Sequence, residues 1–126
     1  MVRKKILVVD DERDVVKAVT IRLQTVGYEV VCAYNGSQGV FMAHKEKPDL
    51  IILDIRMPAG DGFSIAQELK ESAPTSHIPI LFLTGSPERS AEQKAEEVGG
   101  RFYIKKPYDP EELLDAVRRA LETEVS

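Results

Sequence analysis

The chain has 126 residues with 43% hydrophobic and 30% charged side chains, a balance that suits one soluble globular domain and excludes a disordered or collagen-like chain. Its net charge of −4 argues against nucleic-acid binding by this domain, because phosphate contacts need a clustered basic surface. The longest apolar runs, Ile6 to Val9 and Leu50 to Leu53, are far shorter than the ~20 residues of a membrane helix, and Met1 to Lys5 lacks a signal-peptide core, so a cytoplasmic protein away from membranes is expected. Cys32, the single cysteine, excludes an intramolecular disulfide framework and reads as a buried structural thiol.

In chain order, short β-branched apolar runs alternate with longer stretches of helical period. Strands are predicted at Lys5 to Val9, Glu29 to Ala33, Asp49 to Leu53, Ile80 to Leu83 and Phe102 to Ile104. Most are apolar on successive residues, as strands covered on both faces require. After the first strand, Val15, Val19, Leu23 and Val26 mark a helix that stops at Gly27. Ser37 is the expected cap of a second helix ending before Pro48, and Asp61 that of a third, carrying Ile65 and Leu69 and broken by Pro74. Ser86 and Pro87 suit the start of a fourth helix with a weak apolar face of Ala91, Ala95 and Val98, ended by Gly99 and Gly100. Asp109, Pro110 and Glu112 give the last helix a cap, a first-turn proline and a capping-box glutamate, and Leu113, Leu114, Val117 and Leu121 its core stripe. The reading is a single (βα)5 doubly wound α/β domain spanning residues 1–126, a five-stranded parallel sheet with helices on both faces and flavodoxin-like in architecture.

Ligands of such sheets bind outside the carboxyl ends of the strands. There the sequence places Asp10 and Asp11 after the first strand, Asp54 after the third, Thr84 after the fourth and Lys106 after the fifth. Neighbouring carboxylates repel when ionised, and a divalent cation relieves that repulsion. Ligation by oxygen alone favours Mg²⁺, which keeps open positions for water and phosphoryl oxygens. An aspartate can attack phosphorus to form an acyl phosphate, with Lys106 neutralising one phosphoryl oxygen and the Thr84 hydroxyl bonding another.

The segments LVVDDE at 7 to 12, DLIILDIRMPAGDGF at 49 to 63, ILFLTG at 80 to 85 and FYIKKPYD at 102 to 109 resemble the receiver domain of two-component response regulators, along essentially the whole chain. The resemblance implies that Asp54 accepts a phosphoryl group from a histidine kinase or phosphotransfer protein. It further implies that Asp10, Asp11 and Asp54, with the backbone carbonyl of Arg56, hold Mg²⁺, Asp10 largely through water. Lys106, which directly precedes Pro107, matches the family lysine, and the bond between them is expected to be cis. Thr84 and Tyr103 fall where the family keeps its switch residues, so phosphorylation is expected to remodel the face of the fourth helix, fifth strand and last helix for a downstream protein target or effector domain. The chain would then catalyse its own phosphorylation and dephosphorylation without being a turnover enzyme on an outside substrate. Many members carry two acidic residues where this chain has Arg101 and Phe102, a departure that bears on the dimer those members form; a monomer or a phosphorylation-dependent dimer is expected. Arg56 and Ser86 occupy positions that vary in the family and tune dephosphorylation.

Each residue also has a plainer reading. Asp10 and Asp11 can cap a helix, Thr84 can bond the backbone, Lys106 can be a solvated charge and Tyr103 a half-buried packing residue. The joint placement outweighs these. His44 and His77, without partners at ligand spacing, read as surface histidines. A hydrolase with an aspartate nucleophile would need a second acid where Arg56 stands, and a flavodoxin-like cofactor binder would be repelled by Asp10, Asp11 and Glu12. Two further alternatives are a receiver excised from a larger regulator or hybrid kinase and a phosphorylation-independent interaction module.

Overall fold

The computed structural model describes residues 3–57, 60–84, 102–106 and 108–122. Five strands, β1 (Lys5–Val9), β2 (Glu29–Ala33), β3 (Leu50–Asp54), β6 (Ile80–Thr84) and β7 (Phe102–Lys105), form one parallel sheet in the order β2-β1-β3-β6-β7. Two short strands, β4 (Arg56–Met57) and β5 (Gly60–Asp61), pair antiparallel in a separate ribbon that the sequence patterning did not reveal. The described helices are α1 (Arg13–Thr25), α2 (Gly36–Glu46), α3 (Gly62–Glu71) and α4 (Pro110–Glu122), the last being the C-terminal helix of the sequence reading. The helix predicted from Ser86 lies outside the described residues, as does Pro107.

Alternate side chains of each strand enter two separate cores. Leu7, Val9, Ile51, Leu53, Ile80 and Phe82 pack on the side of α2 and α3 with Ala43, Ala66 and Leu69. Ile6, Val8, Leu50, Ile52, Leu81, Leu83 and Ile104 pack on the opposite side against Val16, Val19 and Leu23 of α1 and Leu113, Val117 and Ala120 of α4. This two-sided cover is why the strands are apolar at consecutive positions. β3, buried throughout, and β1, buried from Ile6 to Val9, carry the register, with Val9 opposite Leu53 and Asp54 opposite Leu83, so the carboxyl ends of the central strands are level.

Three local details differ from expectation. On α1 the buried residue of the first turns is Val16, with Val15 only half-buried, and Val26 is 54% exposed because the helix closes there and turns through Gly27 at φ +96°. The cap of α2 is Asn35, not Ser37. Its extended backbone lets Asn35 Oδ1 accept the Gln38 N–H at 2.9 Å, and Gln38 Oε1 in turn accepts the Tyr34 N–H at 2.8 Å. Ser37, already inside the helix, is not in a position to cap it. At the other end Lys47 takes a left-handed conformation at φ 49° directly before Pro48, which terminates the helix as expected. Asp109 does cap α4: its Oδ1 accepts the Glu111 N–H at 3.0 Å and its carbonyl the Leu113 N–H at 3.1 Å.

Candidate functional site

The strand order reverses direction at β1: the chain steps outward to β2, then back across β1 to β3. The crossovers on either side of that point diverge, which opens a crevice above the ends of β1 and β3. Asp10 follows β1 directly and Asp54 is the last residue of β3, so both carboxylates stand over the crevice by virtue of the fold alone.

Asp10 and Asp54 are buried, at 1% and 4% exposure, and Asp11 is half-buried. Each of the three offers a carboxylate oxygen within 4.8 Å of the others, the only group of metal-ligating side chains of this kind among the described residues. Asp10 is held in place by hydrogen bonds of both its carboxylate and its backbone. Oδ1 accepts the Glu12 N–H at 2.9 Å, Oδ2 accepts from Lys106 Nζ at 3.0 Å, and its own N–H donates to the Ala33 carbonyl at 3.2 Å. The first of these bonds closes a turn ahead of α1, whose cap position is Glu12, so neither Asp10 nor Asp11 takes the plainer helix-capping role.

Lys106 reaches the cluster from the end of β7 and also lies 3.8 Å from Asp54 Oδ1 and 3.9 Å from Glu12 Oε1. Partial burial by itself would lower the pKa of this ammonium. The hydrogen bond it donates to Asp10 and the charges of Asp54, Asp10 and Glu12 outweigh that effect, and the net direction is upward. Lys106 is therefore a fixed cation at neutral pH. Three carboxylates, one ammonium and a purely oxygen donor set fit a hard divalent ion such as Mg²⁺, so the residues present match the group the sequence implied.

Thr84 ends β6 with its backbone in register beside Lys105, at the same sheet edge; its side chain lies outside the described part, and so does that of Arg56 in β4. Tyr103, opposite Phe82 in the sheet, is half-buried and packs on the core under α2 and α3, where the rings of Phe63 and Phe82 meet at a tilt of 51° with centroids 5.4 Å apart. His44 and His77 are exposed, as expected; His44 Nδ1 bonds the Val40 carbonyl at 2.9 Å and Nε2 the Ser72 hydroxyl at 3.0 Å. Cys32 is only partly buried, with Sγ 3.4 Å from the Thr20 hydroxyl.

Sequence reasoning missed Gly62. Its N–H donates to the Ile55 carbonyl at 2.8 Å, and a Cβ there would stand 2.3 Å from the Asp54 carbonyl oxygen. Only glycine lets the start of α3 press onto the backbone that carries Asp54. The signal was present as a glycine between a predicted cap and an apolar helix face, but the backbone it approaches lies seven to eight residues earlier in the chain.

The fold and this edge define a receiver-like α/β domain, and comparison with known proteins agrees. Residues 6–118 match the family model described as the response regulator receiver domain, so the chain belongs to that family. It is 36% identical over 117 residues to protein PilH of Pseudomonas aeruginosa, covering 93% of this chain and 97% of that protein. It is also 39% identical over 119 residues to a probable transcriptional regulator, ycf27, of Porphyra purpurea, covering 94% of this chain and 48% of the relative. The chain thus spans about half the length of the ycf27 relatives it matches. Among solved structures, chemotaxis protein CheY4 of Vibrio cholerae superposes with a TM-score of 0.90 at 33% identity, covering 94% of this chain and 99% of that one. A putative response regulator from Chloroflexus aurantiacus gives 0.92 at 31% identity, covering 97% and 100%. No helix among the described residues is long and apolar enough to cross a membrane.

Proposed function

We propose that the chain accepts a phosphoryl group on Asp54 from a histidine kinase or phosphotransfer protein and passes the resulting change to a downstream protein or effector domain. The observation that carries this reading is the buried Asp54 carboxylate at the topological switch point, 3.8 Å from the Lys106 ammonium and grouped with Asp10 and Asp11. An Asp54 oxygen attacks phosphorus, the bond from phosphorus to the donor atom breaks, and the donor leaves with the electron pair. Lys106 meets one phosphoryl oxygen with its charge, and the Thr84 hydroxyl donates to another. Asp10, Asp11, Asp54 and the Arg56 carbonyl would hold Mg²⁺, whose chemistry there is neutralisation of phosphoryl charge. The surrounding strand ends hold the attacking oxygen and exclude bulk water.

The chain acts on itself and is not a turnover enzyme on an outside substrate. It works in the cytoplasm, without binding nucleic acid or membrane through this domain. Recruitment of Thr84 to the phosphoryl group is relayed to Tyr103 on the neighbouring β7, which remodels the face shared by the helix predicted from Ser86, β7 and the C-terminal helix. Acetyl phosphate with Mg²⁺ is expected to add one phosphoryl group by intact-protein mass spectrometry, a chelator to prevent it and Asp54→Asn to abolish it. Undiminished modification of Asp54→Asn would refute the assignment.

A further inference from the structure

The Lys106 ammonium is shared by three carboxylates of very different exposure. Asp10 and Asp54 approach it with side chains 2% and 5% exposed, whereas the Glu12 side chain, 3.9 Å away, is 64% exposed. Glu12 therefore meets the same cation from the solvent side. Its backbone is fixed there, because its N–H donates to Asp10 Oδ1 at 2.9 Å. It also occupies the cap position of α1, yet its side chain makes no capping hydrogen bond. The carboxylate is not engaged by the helix end and faces the Lys106 ammonium instead.

A small phosphodonor that reaches Lys106 from the solvent side on which Glu12 stands brings its phosphoryl oxygens past this carboxylate. A negative charge at that position opposes an anionic leaving group and favours one that carries a positive charge. We propose that Glu12 is a charge filter at the mouth of the site, selecting donors whose phosphoryl group rides on a protonated nitrogen over donors that release a carboxylate. The inference rests on Asp54 being the phosphoacceptor. With either donor an Asp54 oxygen bonds to phosphorus as the phosphorus-donor bond breaks, and the electron pair stays with the leaving atom. Acetyl phosphate releases acetate, and phosphoramidate, already protonated on nitrogen, releases ammonia; neither needs a further proton.

The test measures second-order rate constants for phosphorylation of the full chain at saturating Mg²⁺, with acetyl phosphate (a dianion) and phosphoramidate (a monoanion), in wild type, Glu12→Gln and Glu12→Asp. Glu12→Gln is expected to lower the phosphoramidate to acetyl phosphate ratio by about two- to fivefold, the range that one exposed charge supplies. Glu12→Asp, which keeps the charge, holds the ratio near wild type. An unchanged ratio in Glu12→Gln overturns the proposal, including equal acceleration with both donors, since Glu12 would then act only by holding Lys106. The same drop in Glu12→Asp also overturns it. A wild type modified by neither donor removes the phosphoacceptor reading itself, and the filter with it.

Discussion

Asp11 differs from its two neighbours in the cluster. Asp10 is paired with Lys106 at 3.0 Å and Asp54 lies 3.8 Å from the same ammonium, whereas Asp11 has no cationic side chain within 4.0 Å among the described residues. Two ionised carboxylates at ~5 Å and an effective dielectric near 20 repel by about 3 kcal/mol before solvent relaxation. The half-exposed position of Asp11 reduces that to about 1 kcal/mol. With divalent cations removed by chelator, Asp11→Asn is expected to melt roughly 4 °C above wild type, with a smaller gain for Asp54→Asn. Added Mg²⁺ should stabilise wild type more than either variant by mass action. Thermal melts with and without Mg²⁺ check this, and destabilisation by both substitutions would show that the carboxylates serve structure instead. These residue identities were legible in the sequence because several polar residues fall together at the carboxyl ends of one sheet, a joint placement that outweighs the capping role an aspartate pair has alone. The ion pairs of Lys106 were not, since they join residues 96 and 52 positions apart.

At the scale of elements, the five strands of the parallel sheet were readable to within a residue because consecutive apolar residues admit few alternatives, whereas the two-residue strands β4 and β5 were not, and the helix starts depended on backbone geometry that composition does not display. Asn35 and Ser37 are both good capping residues, and only the extended backbone at Asn35, with Gln38 returning a bond to Tyr34, decides between them. The start of α3 illustrates the same limit more sharply. Gly36 and Gly62 are both helix-start glycines with close neighbours, but a Cβ at Gly36 would meet the flexible end of Ile65 at 2.6 Å, whereas one at Gly62 would meet the Asp54 carbonyl oxygen at 2.3 Å. A side chain can yield; the backbone of the strand that positions Asp54 cannot yield without moving the site. Gly62→Ala is therefore expected to cost about 1–3 kcal/mol, the usual range of overpacking, and to slow phosphorylation. Denaturant unfolding combined with acetyl phosphate kinetics checks both effects; a variant of wild-type stability and rate would contradict the close approach.

For the whole molecule, the order β2-β1-β3-β6-β7 determines where chemistry can occur; sequence patterning anticipated the doubly wound parallel sheet, because alternating strands and helices leave few parallel topologies, but not the order itself. One topology brings residues 10, 11, 54 and 106 to a single crevice while keeping two continuous cores beneath it. We propose that Asp54, rather than Asp10 or Asp11, is the nucleophile, because it ends the central strand β3, buried and 3.8 Å from the Lys106 ammonium, whereas Asp11 lies farther toward solvent. The most direct measurement is borohydride reduction of the protein immediately after treatment with acetyl phosphate and Mg²⁺, followed by tandem mass spectrometry, since reduction of an aspartyl phosphate leaves homoserine at the modified position. Homoserine is expected at position 54 alone; homoserine at position 10 or 11, or at none of the three, would refute Asp54 as the nucleophile.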